Sequence, residues 1–177
     1  MLNRIFTPFP ILKTERLTLR QVRVDDEREV FTLRSDRAIN KYLDRPPSDT
    51  IDDARNFIRT INENVIKNDS LYWAITLSNH TALIGTICLF GFSDKNDQCE
   101  IGYELMPNFQ GRGIMKEALE KVIDYAFNTL NVAAIEAFVH RENQSSIKLL
   151  EKFSFRHSNE PDPTDPDLRC YHLKKNN

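Results

Sequence analysis

The chain has 177 residues, 40% of them hydrophobic and 28% charged, with a formal net charge of −2. That length predicts one domain able to bury a substantial core. The charge gives no electrostatic case for nucleic acid or an acidic membrane as partner. Three cysteines (Cys88, Cys99, Cys170) show no paired spacing, and the four histidines show no metal-ligand spacing. Neither a disulfide framework nor a metal site is expected, and an odd cysteine count without a secretory segment reads as reduced and cytoplasmic. Met1–Leu12, broken by Pro8 and Pro10, is too short for a signal peptide, and no apolar run is long enough to span a membrane.

Leu12–Gln21 alternates Leu17 and Leu19 with polar partners, as a half-buried strand does. Arg16 and Arg20 on it read as solvated or paired structural charges. Asp25 or Asp26 can cap a helix running to about Arg34, with Val30 and Leu33 inward. Asp36–Asp49 is irregular and holds Pro46-Pro47. Thr50-x-x-Asp53 is a capping box, and Ala54, Ile58, Ile61 and Val65 follow at helical spacing. Leu71–Leu77 and Ala82–Phe92 are rich in aromatic and β-branched residues, and Ser78-Asn79-His80 supplies turn chemistry, so they predict an antiparallel hairpin. Trp73 reads as core rather than as a ligand contact.

Gln98–Met106 is the next strand, stopped by Pro107. The stretch Asn108–Ala118 then passes through Gly111 and Gly113 into a helix whose Ile114, Ala118, Val122 and Ala126 share one face. A helix start leaves backbone N–H groups unpaired and carries partial positive charge, which suits an anion such as pyrophosphate. Glycines there admit a ligand close to the backbone, and Arg112 and Lys116 add charge at the rim. The same glycines also fit ordinary turn duty. The phosphate-loop and dinucleotide patterns are absent, since no Gly-Lys-Ser/Thr follows and Met115 and Lys116 stand where a third glycine is needed. Ala133–Val139 is a further strand, expected to run parallel to Gln98–Met106 because a helix joins them. Asn143 caps a last helix with Ile147, Leu150 and Phe153 inward. Pro161–Pro166 reads as a loop, Leu168–Leu173 as the final strand and Lys174–Asn177 as a frayed tail.

Glu100-Ile-Gly-Tyr-Glu-Leu-Met-Pro-Asn-Phe-Gln-Gly-Arg-Gly-Ile-Met-Lys-Glu-Ala resembles the acetyl-coenzyme A signature of the GNAT-type N-acetyltransferases. The Glu-Ile-Gly-Tyr lead-in and the Asn143-x-x-Ser146 to Phe155 stretch resemble the RimJ/RimL-like branch, which acetylates ribosomal-protein N termini. Ser154 departs from the branch, which has glycine before the phenylalanine. The resemblance implies a mixed α/β (α+β) fold: a mostly antiparallel sheet of about six to seven strands, one splayed parallel pair and about four flanking helices. It implies acetyl-coenzyme A as co-substrate, an amine acceptor, no metal and, by family habit alone, a homodimer.

By the same resemblance the cofactor lies on Gln110, Gly111, Arg112, Gly113, Ile114, Met115 and Lys116, with Asn143 on the pantetheine chain. A backbone N–H near Leu105 or Met106 polarises the thioester carbonyl. Glu100 is the implied base, directly or through water; Glu100 and Glu104 share a strand face, and a solvated or salt-bridged role suits either. Many relatives place a tyrosine where Leu150 stands, which leaves Ser146, otherwise a helix-capping hydroxyl, as the candidate at the leaving thiolate. Tyr42, Leu43 and Arg45 form an implied lip over the acceptor, and Tyr103 and Glu104 line its site. The acceptor is either a protein N terminus or a small amine. A coenzyme A-binding sensor without catalysis is the competing class.

Overall fold

The computed structural model describes residues 2–43, 45–159 and 165–175; the expected loop Pro161–Pro166 and the last two residues of the tail lie largely outside them. Among the described residues eight strands form one sheet in the order β1-β2-β3-β4-β5-β6-β8-β7. They are β1 (Leu12–Lys13), β2 (Leu17–Gln21), β3 (Leu71–Leu77), β4 (Gly85–Ser93), β5 (Gln98–Leu105), β6 (Ala134–His140), β7 (Arg156–His157) and β8 (Leu168–Lys174). Five α-helices flank it: α1 (Glu27–Ser35), α2 (Arg37–Asn40), α3 (Ile51–Ile66), α4 (Ile114–Asn128) and α5 (Gln144–Lys152). Every neighbouring pair is antiparallel except β5 and β6, which run parallel as the connecting helix requires.

Alternation along the strands builds two cores. Leu17, Leu19, Trp73, Ile75, Ile87 and Ile101 face Ala118, Val122 and Ala126 of α4 and Ile147 and Leu150 of α5. Val22 and Ala74 face Val30 and Leu33 of α1 and Ala54, Ile58 and Ile61 of α3. The buried Trp73 donates its indole N–H to the Pro10 carbonyl at 2.8 Å, so its polar edge is satisfied. The capping box at α3 forms as expected: Thr50 Oγ1 accepts from the Asp53 amide and the Asp53 carboxylate accepts from the Thr50 amide.

Three expectations need correction. Leu12–Gln21 is two strands, because Thr14 Oγ1 accepts from the Leu17 amide and closes a local turn between them. Asp36–Asp49 is not wholly irregular, since the Asp36 carboxylate accepts from the Ile39 amide and starts the short helix α2. The chain end is not frayed at Lys174 and Lys175: β8 includes Lys174, and the Lys175 amide donates to the Ala133 carbonyl at 2.9 Å.

Ser154 closes α5 at φ 64°, a left-handed conformation that glycine adopts freely. A non-glycine residue there costs about 1–2 kcal/mol, partly offset by glycine's larger unfolded entropy. Ser154→Gly is therefore expected to raise stability by about 0.5–1 kcal/mol in urea denaturation. An unchanged midpoint would mean that the serine side chain offsets the strain.

Candidate active site

Pairing between β5 and β6 lasts only from Gln98↔Ala134 to Glu100↔Glu136. Beyond it the strands separate, and a groove of about 550 Å³ runs from this splay to the glycine turn. The splay end is lined by Tyr103, Glu104, Leu105, Asn143 and Ser146, and the turn end by Gln110, Gly111, Gly113, Ile114, Met115 and Lys116. Gly111 and Gly113 lie at φ 73° and 74°, and Gly113 caps α4 with no side-chain bond to the first turn. The opening amides of a 15-residue helix thus remain available to an anion.

One local and several long-range bonds hold this turn in place. Gln110 Nε2 donates to the Leu105 carbonyl at 2.8 Å, tying the turn to the end of β5. Glu117, in the first turn of α4, accepts from the Arg16 amide at 2.9 Å and from Arg16 Nε at 2.6 Å. Arg16 Nη1 also donates to the Arg112 carbonyl at 3.0 Å. Arg16 is therefore a paired structural charge, as expected. The Arg112 side chain lies over the Phe109 ring, 5.7 Å from its centroid, and does not line the groove. The positive charge lining the groove comes from Lys116, Lys148 and Lys152. The two α5 lysines escaped the sequence reading, although their spacing of four marks one helix face.

Leu105 and Met106 are separated by amide direction. The Met106 N–H donates to the Ile84 carbonyl at 2.9 Å and is not available to a ligand. Successive strand amides point to opposite edges, so the Leu105 N–H faces the splay. Of the two expected donors, the geometry retains Leu105 and removes Met106, which packs instead beside the α1–α3 core.

The lip closes over the splay. Tyr42 stacks on His140 at 5.3 Å between ring centroids, and Tyr42 and Leu43 both line the groove. Arg45 Nη2 donates to Glu104 at 2.6 Å while its Nε donates to Asn40 Oδ1 at 2.8 Å. Glu104, with a side chain only 7% exposed, is thereby an ion-paired carboxylate latching the lip to β5. On the opposite strand face Tyr103 Oη and Ser146 Oγ are 2.7 Å apart, and burial pushes the Tyr103 phenol up to about 12. Asn143 Oδ1 accepts from the Ser146 amide at 3.3 Å, so this asparagine caps α5 and borders the groove at once.

Glu100 does not line the groove. It sits where β5–β6 pairing ends, roughly 13 Å along the strand from Glu104. Burial first, and then neighbouring Glu136, raise its carboxyl above the usual glutamate range. A bulge between Phe90 and Ser93 places Gly91 under this carboxylate at φ 59°. A Cβ on Gly91 would stand 2.6 Å from Glu100 Oε1, so glycine makes the room. Sequence reading passed over Gly91, yet a lone glycine inside a strand pattern is the signal for a bulge. Cys88 and Cys99 are buried thiols pushed up to about 12 by desolvation, which leaves no thiolate nucleophile at either.

The acetyltransferase (GNAT) domain model matches residues 16–156. Among curated relatives, N-acetyltransferase p20 of Bacillus licheniformis, described as uncharacterized, is 39% identical over 146 residues, covering 82% of each chain. N-acetyltransferase YoaA of Bacillus subtilis, likewise described, is 32% identical over 148 residues and 84% of each chain. Among solved structures, RimL, a ribosomal L7/L12 α-N-protein acetyltransferase in complex with coenzyme A, superposes with a TM-score of 0.82 at 18% identity, covering 93% of this chain and 98% of that one. The chain belongs to the GNAT family and is an N-acetyltransferase of it.

Proposed function

We propose that this chain transfers the acetyl group of acetyl-coenzyme A to a primary amine by direct attack in a ternary complex, in the cytoplasm. The observation that carries the reading is the continuous groove from an uncapped helix N-terminus to a splayed parallel pair. The pyrophosphate lies on the amides after Gly111 and Gly113, near Lys116. The pantetheine chain runs past Asn143 between the diverging strands. The Leu105 N–H meets the thioester oxygen, an arrangement worth roughly 3 kcal/mol where such donors have been removed.

An amine is mostly ammonium at neutral pH and must lose a proton before it attacks. Glu100 accepts that proton through water, because it lies outside the groove. The acceptor is a protein N terminus or a small amine. RimL, which shares the fold, acts on a protein N terminus. A second reading, a coenzyme A-binding sensor, draws on Leu150 standing where many relatives have tyrosine and on the distance of Glu100 from the groove. Acetyl-coenzyme A turnover against a peptide library and a small-amine panel decides between them: turnover with any amine excludes the sensor, and none excludes the enzyme reading.

Glu100→Gln is expected to lower kcat at least about 100-fold while leaving acetyl-coenzyme A affinity within about twofold. Because the carboxyl is raised, the active carboxylate form is lost as pH falls through a value above the ordinary glutamate range. The acid limb of the wild-type kcat/KM profile should lie there and vanish in the variant. The same raised carboxyl disfavours folding once pH exceeds the unfolded value, so the variant should be no less stable at pH 7. Unchanged turnover would remove Glu100 as base.

A further inference from the structure

We propose that Tyr103 is a positioning residue for the leaving-group site, its phenol donating to Ser146 Oγ so that the Ser146 hydroxyl proton is turned toward the departing sulfur. This inference rests on the acetyl-transfer reading above and deepens it. Tyr103 comes from β5 and Ser146 from the first turn of α5, 43 residues apart, and their oxygens meet at 2.7 Å beside the groove. Leu150, one turn further along α5, is 1% exposed and belongs to the core. The helix therefore offers no phenol at that position, and the strand across the groove brings one to the serine instead.

The direction of the bond follows from acidity. A phenol is a stronger donor and a weaker acceptor than an aliphatic hydroxyl, so Tyr103 donates and Ser146 accepts. A serine hydroxyl has one proton. With its acceptor side taken by Tyr103, that proton is free to point into the groove. A rotor left unfixed would instead sample several directions, including bonds back to the helix backbone.

Acidity also decides what the pair does. As the tetrahedral intermediate collapses, the C–S bond breaks with its electron pair on sulfur, and the proton that the attacking amine still carries in excess leaves to solvent water. A thiol ionises at roughly 8.5, whereas burial pushes the Tyr103 phenol up to about 12. Proton transfer from phenol to thiolate would therefore run uphill, and a serine hydroxyl is weaker still as an acid. Both hydroxyls keep their protons. The pair stabilises the thiolate by a hydrogen bond, and solvent protonates it on release.

The test needs no acceptor. Coenzyme A is bound to the wild type, Tyr103→Phe, Ser146→Ala and the double variant, with affinity and folding checked by calorimetry and circular dichroism. The bound thiol is then titrated by the ultraviolet absorbance of its thiolate. In the wild type it should ionise about one pH unit lower than in Ser146→Ala, a tenfold change in thiolate fraction. Tyr103→Phe should show most of the same upward shift, and the double variant should match Ser146→Ala. Lys116, Lys148, Lys152 and Glu104 face the same groove and are unchanged throughout, so their field cancels in the comparison. With a turned-over amine, Tyr103→Phe should lower kcat about tenfold at unchanged KM for acetyl-coenzyme A. Coenzyme A binding with identical thiol titration in wild type and Tyr103→Phe overturns this inference alone. Failure of folded wild type to bind coenzyme A overturns the acetyl-transfer reading and this inference with it.

Discussion

Gly111→Glu is expected to abolish coenzyme A binding, with affinity down at least about 100-fold by calorimetry while the fold persists. Nothing lies within 4 Å of where a Cβ would stand on Gly111, so the side chain meets no steric barrier. The backbone sits at φ 73°, which charges any other residue roughly 1–2 kcal/mol of stability. A carboxylate on this turn sits beside the unpaired amides that open α4, where it competes with the cofactor's phosphates for them and repels those phosphates. Gly111→Ala separates the causes: it carries the same backbone strain without charge and should lose less than about tenfold. Equal losses in both variants would assign the role of Gly111 to backbone shape, and normal binding by Gly111→Glu would move the cofactor off this turn.

The largest stability loss is expected from Asp26→Ala, about 3–5 kcal/mol in urea denaturation. Arg20 and Asp26 are 7% and 5% exposed and meet through two bonds, Nη1 to Oδ2 at 2.8 Å and Nη2 to Oδ1 at 2.7 Å. Arg20 Nη2 also donates to the Thr81 carbonyl at 2.7 Å, and Asp26 Oδ2 accepts from the Arg23 amide at 2.7 Å. Two separate chain segments, residues 20–26 and the Thr81 loop, therefore converge on one buried pair. Removing the carboxylate leaves a guanidinium in a desolvated site with only carbonyl partners. Desolvating two charges is itself costly, so the double variant Arg20→Met/Asp26→Leu should regain most of the loss. If Asp26→Ala costs under about 1 kcal/mol, water must reach Arg20, and the pair is better treated as a surface bridge.

Asp26 also shows where sequence reading stops. Its position before Val30 and Leu33 marks it as a helix-start residue, and α1 does begin after it. That its carboxylate bonds Arg20, on the strand it follows and with no periodic relation to it, depends on how β2 packs beneath α1. The same division runs through the site. Gly111 and Gly113 at a strand–helix junction, the Thr50–Asp53 box and the face shared by Ile114, Ala118, Val122 and Ala126 are local patterns. Each follows from spacings of one to four residues, which chain geometry alone controls.

The residues that the structure moved share a different property. Met106 and Leu105 are adjacent and equally apolar, and only the register of β4 against β5 decides which amide points into the splay. Arg112 and Lys116 carry the same charge, yet an aromatic neighbour holds one while the other reaches the groove. Glu100 and Glu104 share a face, but the point at which β5 parts from β6 leaves one outside the groove, and Arg45 occupies the other. The meeting of Tyr103 and Ser146 required α4, β6 and α5 to return the chain to β5. The sequence by itself determined the longer strands and helices, their inward faces and the glycine turn before α4, because those depend on local periodicity and backbone freedom. Only the tertiary structure decided which donors, carboxylates and hydroxyls face the groove, because those depend on register and on contacts across 40 or more residues.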